Sequence, residues 1–249
     1  MSTRVRPLFS VVTVVLNGGE SFAQTVSSVI GQTCQDREYL IIDGGSTDQT
    51  LLTIKKWERH ITYWSSEVDQ GIYHAMNKAI GVLSGEFVLF LNSGDYLHDK
   101  EVLERYTHII TEHDDIVAGA VIYEDISSGK KYYSRPKLKY FKYRMPVYHQ
   151  GTFYKSKKLK LNTFNEEYKI AADYDQFLTL IGIGSKVRVS SEVVSVFRSG
   201  GVSHKLSSHY KELFKIHNEH FGSWQGLLSL FLTPAMRLLA VLKKIVRKP

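Results

Sequence analysis

The chain has 249 residues, 43% of them hydrophobic and 23% charged, and 32 Lys and Arg against 25 Asp and Glu give a formal net charge of +7. That composition belongs to a globular protein able to bury a core, and it excludes disordered, collagen-like and low-complexity classes. A single cysteine, Cys34, excludes a disulfide framework and a cysteine-based zinc site and suits a reducing compartment.

Met1 to Pro7 is a short basic stub without the apolar run of a signal peptide, and none is expected there. Leu8–Leu16 is a β-branched run of strand length. Ser21–Ile30 follows with helical spacing at Phe22, Val26, Val29 and Ile30. Tyr39–Ile42 reads as a second strand ending in the turn Asp43-Gly44-Gly45-Ser46, and Leu51–Trp57 as a helix. A short strand is expected at Ile61–Trp64, a helix over Ile72–Leu83, and a buried strand at Phe87–Leu91, closed by Asn92-Ser93-Gly94-Asp95. Continuous apolar strands alternating with amphipathic helices predict an α/β fold with a mostly parallel open sheet and helices on both faces.

Beyond Ile110 the pattern changes. Ile116–Tyr123 reads as a strand, Thr152–Tyr154 as an aromatic strand, Asp173–Ile181 as a helix, Val187–Phe197 as a strand and His204–Phe221 as a helix. No internal repeat and no long polar linker occurs. The expectation is one domain over residues 1–222, with C-terminal helices, and an amphipathic basic tail over 223–249.

The positive charge is concentrated. Residues 130–160 hold eleven Lys and Arg and no carboxylate, whereas residues 101–129 hold one cation against seven carboxylates. A basic block can attract nucleic acid, anionic lipid or phosphorylated substrates, and net charge alone does not choose. Acidic and amide side chains collect instead where the first strands end: Asn17, Asp43, Glu67 and Asp69, and Asn92 to Asp95. Open α/β sheets bind ligands at the carboxyl ends of their strands. No GxGxxG follows the first strand and no GxxxxGK[ST] occurs, so neither a dinucleotide fingerprint nor a P-loop is supported. Acidic strand ends without a glycine cradle suggest that pyrophosphate is held through a divalent cation, Mg²⁺ or Mn²⁺.

The runs Phe9–Asn17, Ile41–Asp48 and Phe90–Asp95 resemble the family 2 glycosyltransferases, and Ser66–Lys78 resembles a subgroup that builds bacterial exopolysaccharide, colanic acid or O-antigen repeat units. The resemblance implies a GT-A fold, an inverting reaction, a nucleotide-diphosphate sugar donor and a lipid-linked saccharide acceptor in surface polysaccharide biosynthesis. It implies that Thr13 and Asn17 line the nucleotide pocket, that Asp43 accepts a hydrogen bond from the base, and that Asp69 sits beside the nucleotide or donor sugar. Asn77 and Lys78 would face the donor. Asn92–Asp95, including Ser93, stands where the family carries its Asp-x-Asp motif, with Asp95 the metal ligand. This sequence departs from the commoner pattern in having Asn92 and Gly94 where Asp is frequent.

Inverting transfer needs one general base for the acceptor hydroxyl. Ala171–Asp175 resembles the family's Glu-Asp element, with Asp173 at the base position; an Asp at a helix start also serves as an N-cap. Asp175, two residues on, projects to another side of the helix. His149-Gln150-Gly151 resembles the acceptor-side loop. Gly200–His204 resembles a C-terminal segment whose histidine, His204, completes the metal shell or contacts pyrophosphate.

Trp224–Val246 is apolar but interrupted by Pro234 and Arg237, unlike a spanning helix of ~20 apolar residues. An interfacial helix fits, with Lys243, Lys244, Arg247 and Lys248 toward anionic lipid. Packing on the domain or in a homodimer interface is the other reading. A cytoplasmic protein, peripheral on the inner face of the membrane, is expected. A nucleotidyltransferase, or a nucleic-acid-binding module using the basic 130–160 block, stays open as an alternative, although acidic strand ends repel nucleic acid.

Overall fold

The computed structural model describes residues 6–198 and 206–224. Its strands are β1 (Phe9–Val15), β2 (Arg37–Asp43), β3 (Tyr63–Ser66), β4 (Phe87–Phe90), β5 (Tyr96–Leu97), β6 (Ile116–Glu124), β7 (Lys131–Ser134), β8 (Thr152–Lys155) and β9 (Val187–Arg198). They form one nine-stranded sheet in the order β3-β2-β1-β4-β8-β6-β9-β5, with β7 paired to β6 outside that path. The helices are α1 (Gly19–Ile30), α2 (Thr50–Trp57), α3 (Ile72–Val82), α4 (Val102–Ile109), α5 (Ser156–Leu161), α6 (Ala172–Gly182) and α7 (Leu206–Phe221).

The α/β class and the parallel half of the sheet follow the sequence pattern. β1 pairs in parallel with β2 and β4, and β2 with β3, each connection passing through at least one helix. Beyond β4 the sheet becomes mixed, because β8 runs antiparallel between β4 and β6, while β6 and β9 are parallel.

Alternation along β1 divides two cores. Val12 and Val14 pack with Leu40, Ile42 and the apolar faces of α3 and α6. Val11 and Val15 pack with Tyr39, Ile41 and the Phe22, Val26 and Val29 stripe of α1. All seven residues of β1 are buried, which is why the strand reads as one apolar run. At the opposite end of the sheet from the strand-end turns, Glu38 accepts from Ser84 N at 2.6 Å, Ser84 Oγ at 2.7 Å and Gly85 N at 3.0 Å. Burial favours its neutral acid, but hydrogen bonds from Ser10, Ser84 and Gly85 outweigh that and hold its pKa below the usual value.

Candidate active site

The strand-end turns open on a cleft of about 1420 Å³. Asn17, Asp69, Ser93, Asp95 and Asp173 all line it, so five of the expected site residues converge on one cavity. His204, expected as a metal ligand, lies outside the described residues, as does the tail beyond Trp224.

Local chemistry places the β1 and β2 turns. Asn17 takes a left-handed backbone (φ 51°), its N–H donates to Ser46 Oγ at 2.7 Å, and its Oδ1 accepts from Thr47 N at 2.9 Å. Asn tolerates this conformation better than most side chains do. Asp69 lies directly against Gly44, where any Cβ would overlap its carboxylate, and it accepts from Gly71 N at 2.9 Å. A Cβ on Gly18 would stand 2.6 Å from Ser93 Oγ, so the first turn and the Asn92–Asp95 loop meet only because residue 18 lacks a side chain.

Four expected residues are placed elsewhere. Thr13 is fully buried on the α1 side of the sheet, where its Oγ1 lies 3.0 Å from the Tyr39 hydroxyl. Strand alternation puts it there, and a buried phenol needs that partner. Asp43 is also fully buried: it accepts from Ser46 N at 3.0 Å and Ser66 Oγ at 2.6 Å, stapling its own turn to β3. Asn77 faces the 164–166 segment, donating to Phe164 O at 2.9 Å and Glu166 Oε1 at 2.7 Å and accepting from Phe164 N at 2.9 Å. Lys78 pairs with Glu67 at 3.1 Å. These contacts hold the walls of the site; none of the four side chains lines the cleft.

Asp95 is buried, and its Oδ1 accepts from Arg198 N at 3.2 Å. Burial pushes its pKa up to about 7, against the pull of Arg198 and the Gln150 side chain. Beside it in the same loop, Asn92 Oδ1 is buried with no partner among the described residues. A buried carboxyl that resists ionising and an orphaned amide oxygen are both relieved by a hard cation. Among the described residues no group of three or more His, Cys, Asp or Glu could hold a metal alone. The donor set therefore fits Mg²⁺ or Mn²⁺ bound thinly by protein and completed by substrate phosphate and water.

Asp173 lies in the first turn of α6, but it does not cap that helix: the cap position is Ala171. The segment leading into α6 is anchored from α7 by Glu212, which accepts from the N–H groups of Lys169 (2.9 Å), Ile170 (3.0 Å) and the cap residue Ala171 (2.9 Å). The Asp173 carboxylate accepts from Tyr174 N at 2.9 Å, with the Tyr73 hydroxyl at 3.4 Å. Burial pushes its pKa up to about 6 despite these bonds. Asp175 turns away, as helix geometry requires, and lies 2.7 Å from His220 on α7.

Sequence reasoning did not single out Tyr73, Glu212, Arg198 or the individual role of His149. His149 is buried in the cleft wall, stacked on Phe90 at 5.1 Å, with neither ring nitrogen partnered among the described residues. Burial lowers its pKa to about 4, so the ring is neutral at pH 7. The HQG motif was the available signal; Glu212 had none, because its partners are backbone groups forty residues away.

A carboxylate-bearing cleft at the strand ends is where open α/β sheets bind ligands, and comparison with solved structures makes this sheet a GT-A-type fold. The fold is shared with Staphylococcus aureus TarS in complex with UDP-GlcNAc (TM-score 0.67, 21% identity), over 84% of this chain and 65% of that one, so this chain spans less than two thirds of TarS. It is shared also with the mannosyltransferase PcManGT from Pyrobaculum calidifontis in complex with GDP-Man and Mn²⁺ (TM-score 0.65, 15% identity), over 98% of this chain and 81% of that one. A Mycobacterium bovis PGL/p-HBAD biosynthesis glycosyltransferase is 32% identical over 177 residues, 68% of each chain. The model of glycosyl transferase family 2 matches residues 10–169. This chain belongs to that family and is a family 2 glycosyltransferase.

Proposed function

We propose that the enzyme is an inverting glycosyltransferase that moves a sugar from a nucleotide-diphosphate donor to a lipid-linked saccharide acceptor during assembly of a bacterial surface polysaccharide. One observation carries the reading: among the carboxyl groups of a single cleft, Asp95 and Asp173 are held in two different settings, each with its pKa raised by burial. Asp95 sits in the Asn92–Asp95 loop beside an orphaned oxygen, and Asp173 sits on a helix start with its pKa near 6. TarS with UDP-GlcNAc and PcManGT with GDP-Man support a nucleotide sugar as the donor class.

In this reading Asn17, Asp69 and Ser93 border the donor. Ionised Asp173 takes the proton from the acceptor hydroxyl as that oxygen attacks the anomeric carbon, and the bond to the nucleoside diphosphate breaks on the opposite face. Asp95 with the Asn92 oxygen would hold Mg²⁺ or Mn²⁺, which supplies charge neutralisation on the leaving diphosphate when bound. Family membership leaves the nucleotidyltransferase and nucleic-acid readings without support. Among the described residues no helix is long and apolar enough to cross a membrane. A peripheral place on the inner membrane face, through the 223–249 tail, remains part of the proposal.

The test is a screen of nucleotide sugars with Mn²⁺ or Mg²⁺, read by thermal shift and donor hydrolysis. Asp173→Asn is expected to keep donor binding and lose transfer; full transfer in that variant removes Asp173 as the base. Liposome flotation tests the tail: unchanged binding after truncation at Gly222 removes the membrane contact.

A further inference from the structure

We infer that the β6–β7 side of the cleft is a phosphate-binding subsite for the acceptor, in which Arg135, Lys137 and Arg144 grip the phosphate that carries the acceptor sugar. The inference rests on the glycosyl-transfer reading and adds the acceptor's chemical class to it.

All three cations line the cleft and are exposed. Chain geometry gathers them, because Lys137 N donates to Pro146 O at 2.7 Å and closes the 137–146 loop, bringing both of its ends to the same mouth. The two guanidinium groups are held in place without being neutralised. The Arg135 guanidinium lies 5.4 Å from the Tyr133 ring centre and donates to that phenol oxygen at 2.9 Å. The Arg144 guanidinium lies 4.9 Å from the Tyr140 ring centre. Rings orient a cation and leave most of its donors available. Among the described residues no carboxylate pairs with any of the three. The neighbouring carboxylates are engaged elsewhere: Glu124 pairs with Arg198 at 2.9 Å and Lys131 at 3.3 Å, and Glu166 accepts from Asn77 at 2.7 Å.

Topology separates this subsite from the donor's own phosphates. Asn17 follows β1 and Asp69 follows β3, on the β3-β2-β1 side of the sheet, with Asp95 following β4. Arg135 follows β7, which hangs on β6 beyond β4 and β8. Three unpaired cations at that end suit a second anion, one that arrives with the acceptor. Ile126, 63% exposed on the same rim, offers an apolar lip beside them.

The test is calorimetry on the full chain with farnesyl diphosphate, inorganic pyrophosphate and farnesol, each alone and with saturating UDP or GDP. Farnesyl diphosphate is expected to bind with nucleotide in place. The triple variant R135A/K137A/R144A is expected to weaken it roughly 100-fold while nucleotide affinity changes less than twofold. Farnesyl diphosphate binding much tighter than pyrophosphate identifies a lipid-borne phosphate; equal binding identifies the phosphate alone, and both support the subsite. The proposal is overturned if farnesol binds as well as its diphosphate, if the triple variant binds farnesyl diphosphate unchanged, or if nucleotide displaces it. Displacement would assign these cations to the donor. The charge-keeping R135K/R144K variant, expected to retain most of the affinity, guards against misfolding as the cause of loss. The parent reading fails through a different result, wild-type protein that binds neither UDP- nor GDP-sugars.

Discussion

Removing an ionised carboxylate from water disfavours its charge, and at Asp173 that burial lifts the pKa from 3.8 to about 6. Two consequences follow with opposite signs. The proposed base role needs the ionised form, so under that proposal kcat/KM should climb tenfold per pH unit below about 6 and level off above it. Stability runs the other way: the folded state binds this proton more tightly than the unfolded chain, so the group weakens the fold as pH rises from about 4 to 6. Asp173→Asn should therefore be more stable than wild type at pH 8, by up to about 3 kcal/mol, and lose that advantage near pH 4. Melting temperatures across this range check it; a lower melting temperature at pH 8 contradicts it. His149 stands in the wall of the same cleft as a neutral imidazole whose two ring nitrogens are buried and unpartnered among the described residues. His149→Phe keeps the stack on Phe90, so the fold should hold while the KM for one substrate rises about tenfold, the value of one hydrogen bond. At this scale the sequence was only partly legible. Asn17, Asp69 and Asp95 reach the cleft as their turn positions suggest. Asp43 occupies an equally suggestive turn, yet two serines close around it. Thr13 faces away through strand parity, which a one-residue shift in reading the strand would reverse.

Helix α6 carries Asp173, and α7 fixes where α6 begins. Glu212 accepts from three successive amide groups that lead into the helix, Lys169, Ile170 and the cap residue Ala171, at distances of 2.9–3.0 Å. Its negative charge also adds, after the dominant burial, to the rise in the Asp173 pKa. Glu212→Ala should cost roughly 1–2 kcal/mol of stability, since two part-buried amides and one exposed amide lose a charged acceptor. It should also move the acidic limb of the pH–rate profile downward, because removing a nearby negative charge eases ionisation of Asp173. A purely structural role would lower stability and leave the limb where it was. Long periodic elements were readable from sequence: α1 and α3 each bury an apolar stripe, β1 and β4 are largely apolar, and β2 is apolar over its Tyr39–Ile42 centre. β7 was not, because its Lys-Tyr-Tyr-Ser run is almost wholly exposed and shows no alternation in burial. β5 has two residues and exists through pairing with β9, a tertiary contact that carries no local signal.

Across the whole molecule, a net charge of +7 gives little guidance, because opposite charges occupy different regions. Eleven cations lie in residues 130–160, and the carboxylates of the cleft come from the strand ends and α6. The position of the cleft was legible where the motifs sit on parallel strand ends, since topology brings those turns together. The acceptor side was not, because the loop after β7 reaches the cleft through one backbone clamp and ring contacts. The segregation has a measurable consequence. Exposed cations attract a charged ligand through solvent, where the Debye length shrinks from about 10 Å at 0.1 M salt to about 3 Å at 1 M. The Asp95 carboxyl, in contrast, is buried, and buried pairs are screened far less. Raising KCl from 50 to 500 mM should increase the acceptor KM by about tenfold, change the donor KM by less than about twofold and leave kcat nearly constant. Steady-state kinetics with each substrate varied in turn makes the distinction. If both KM values rise together, the two substrates share one field and the separation of charge does not select between them.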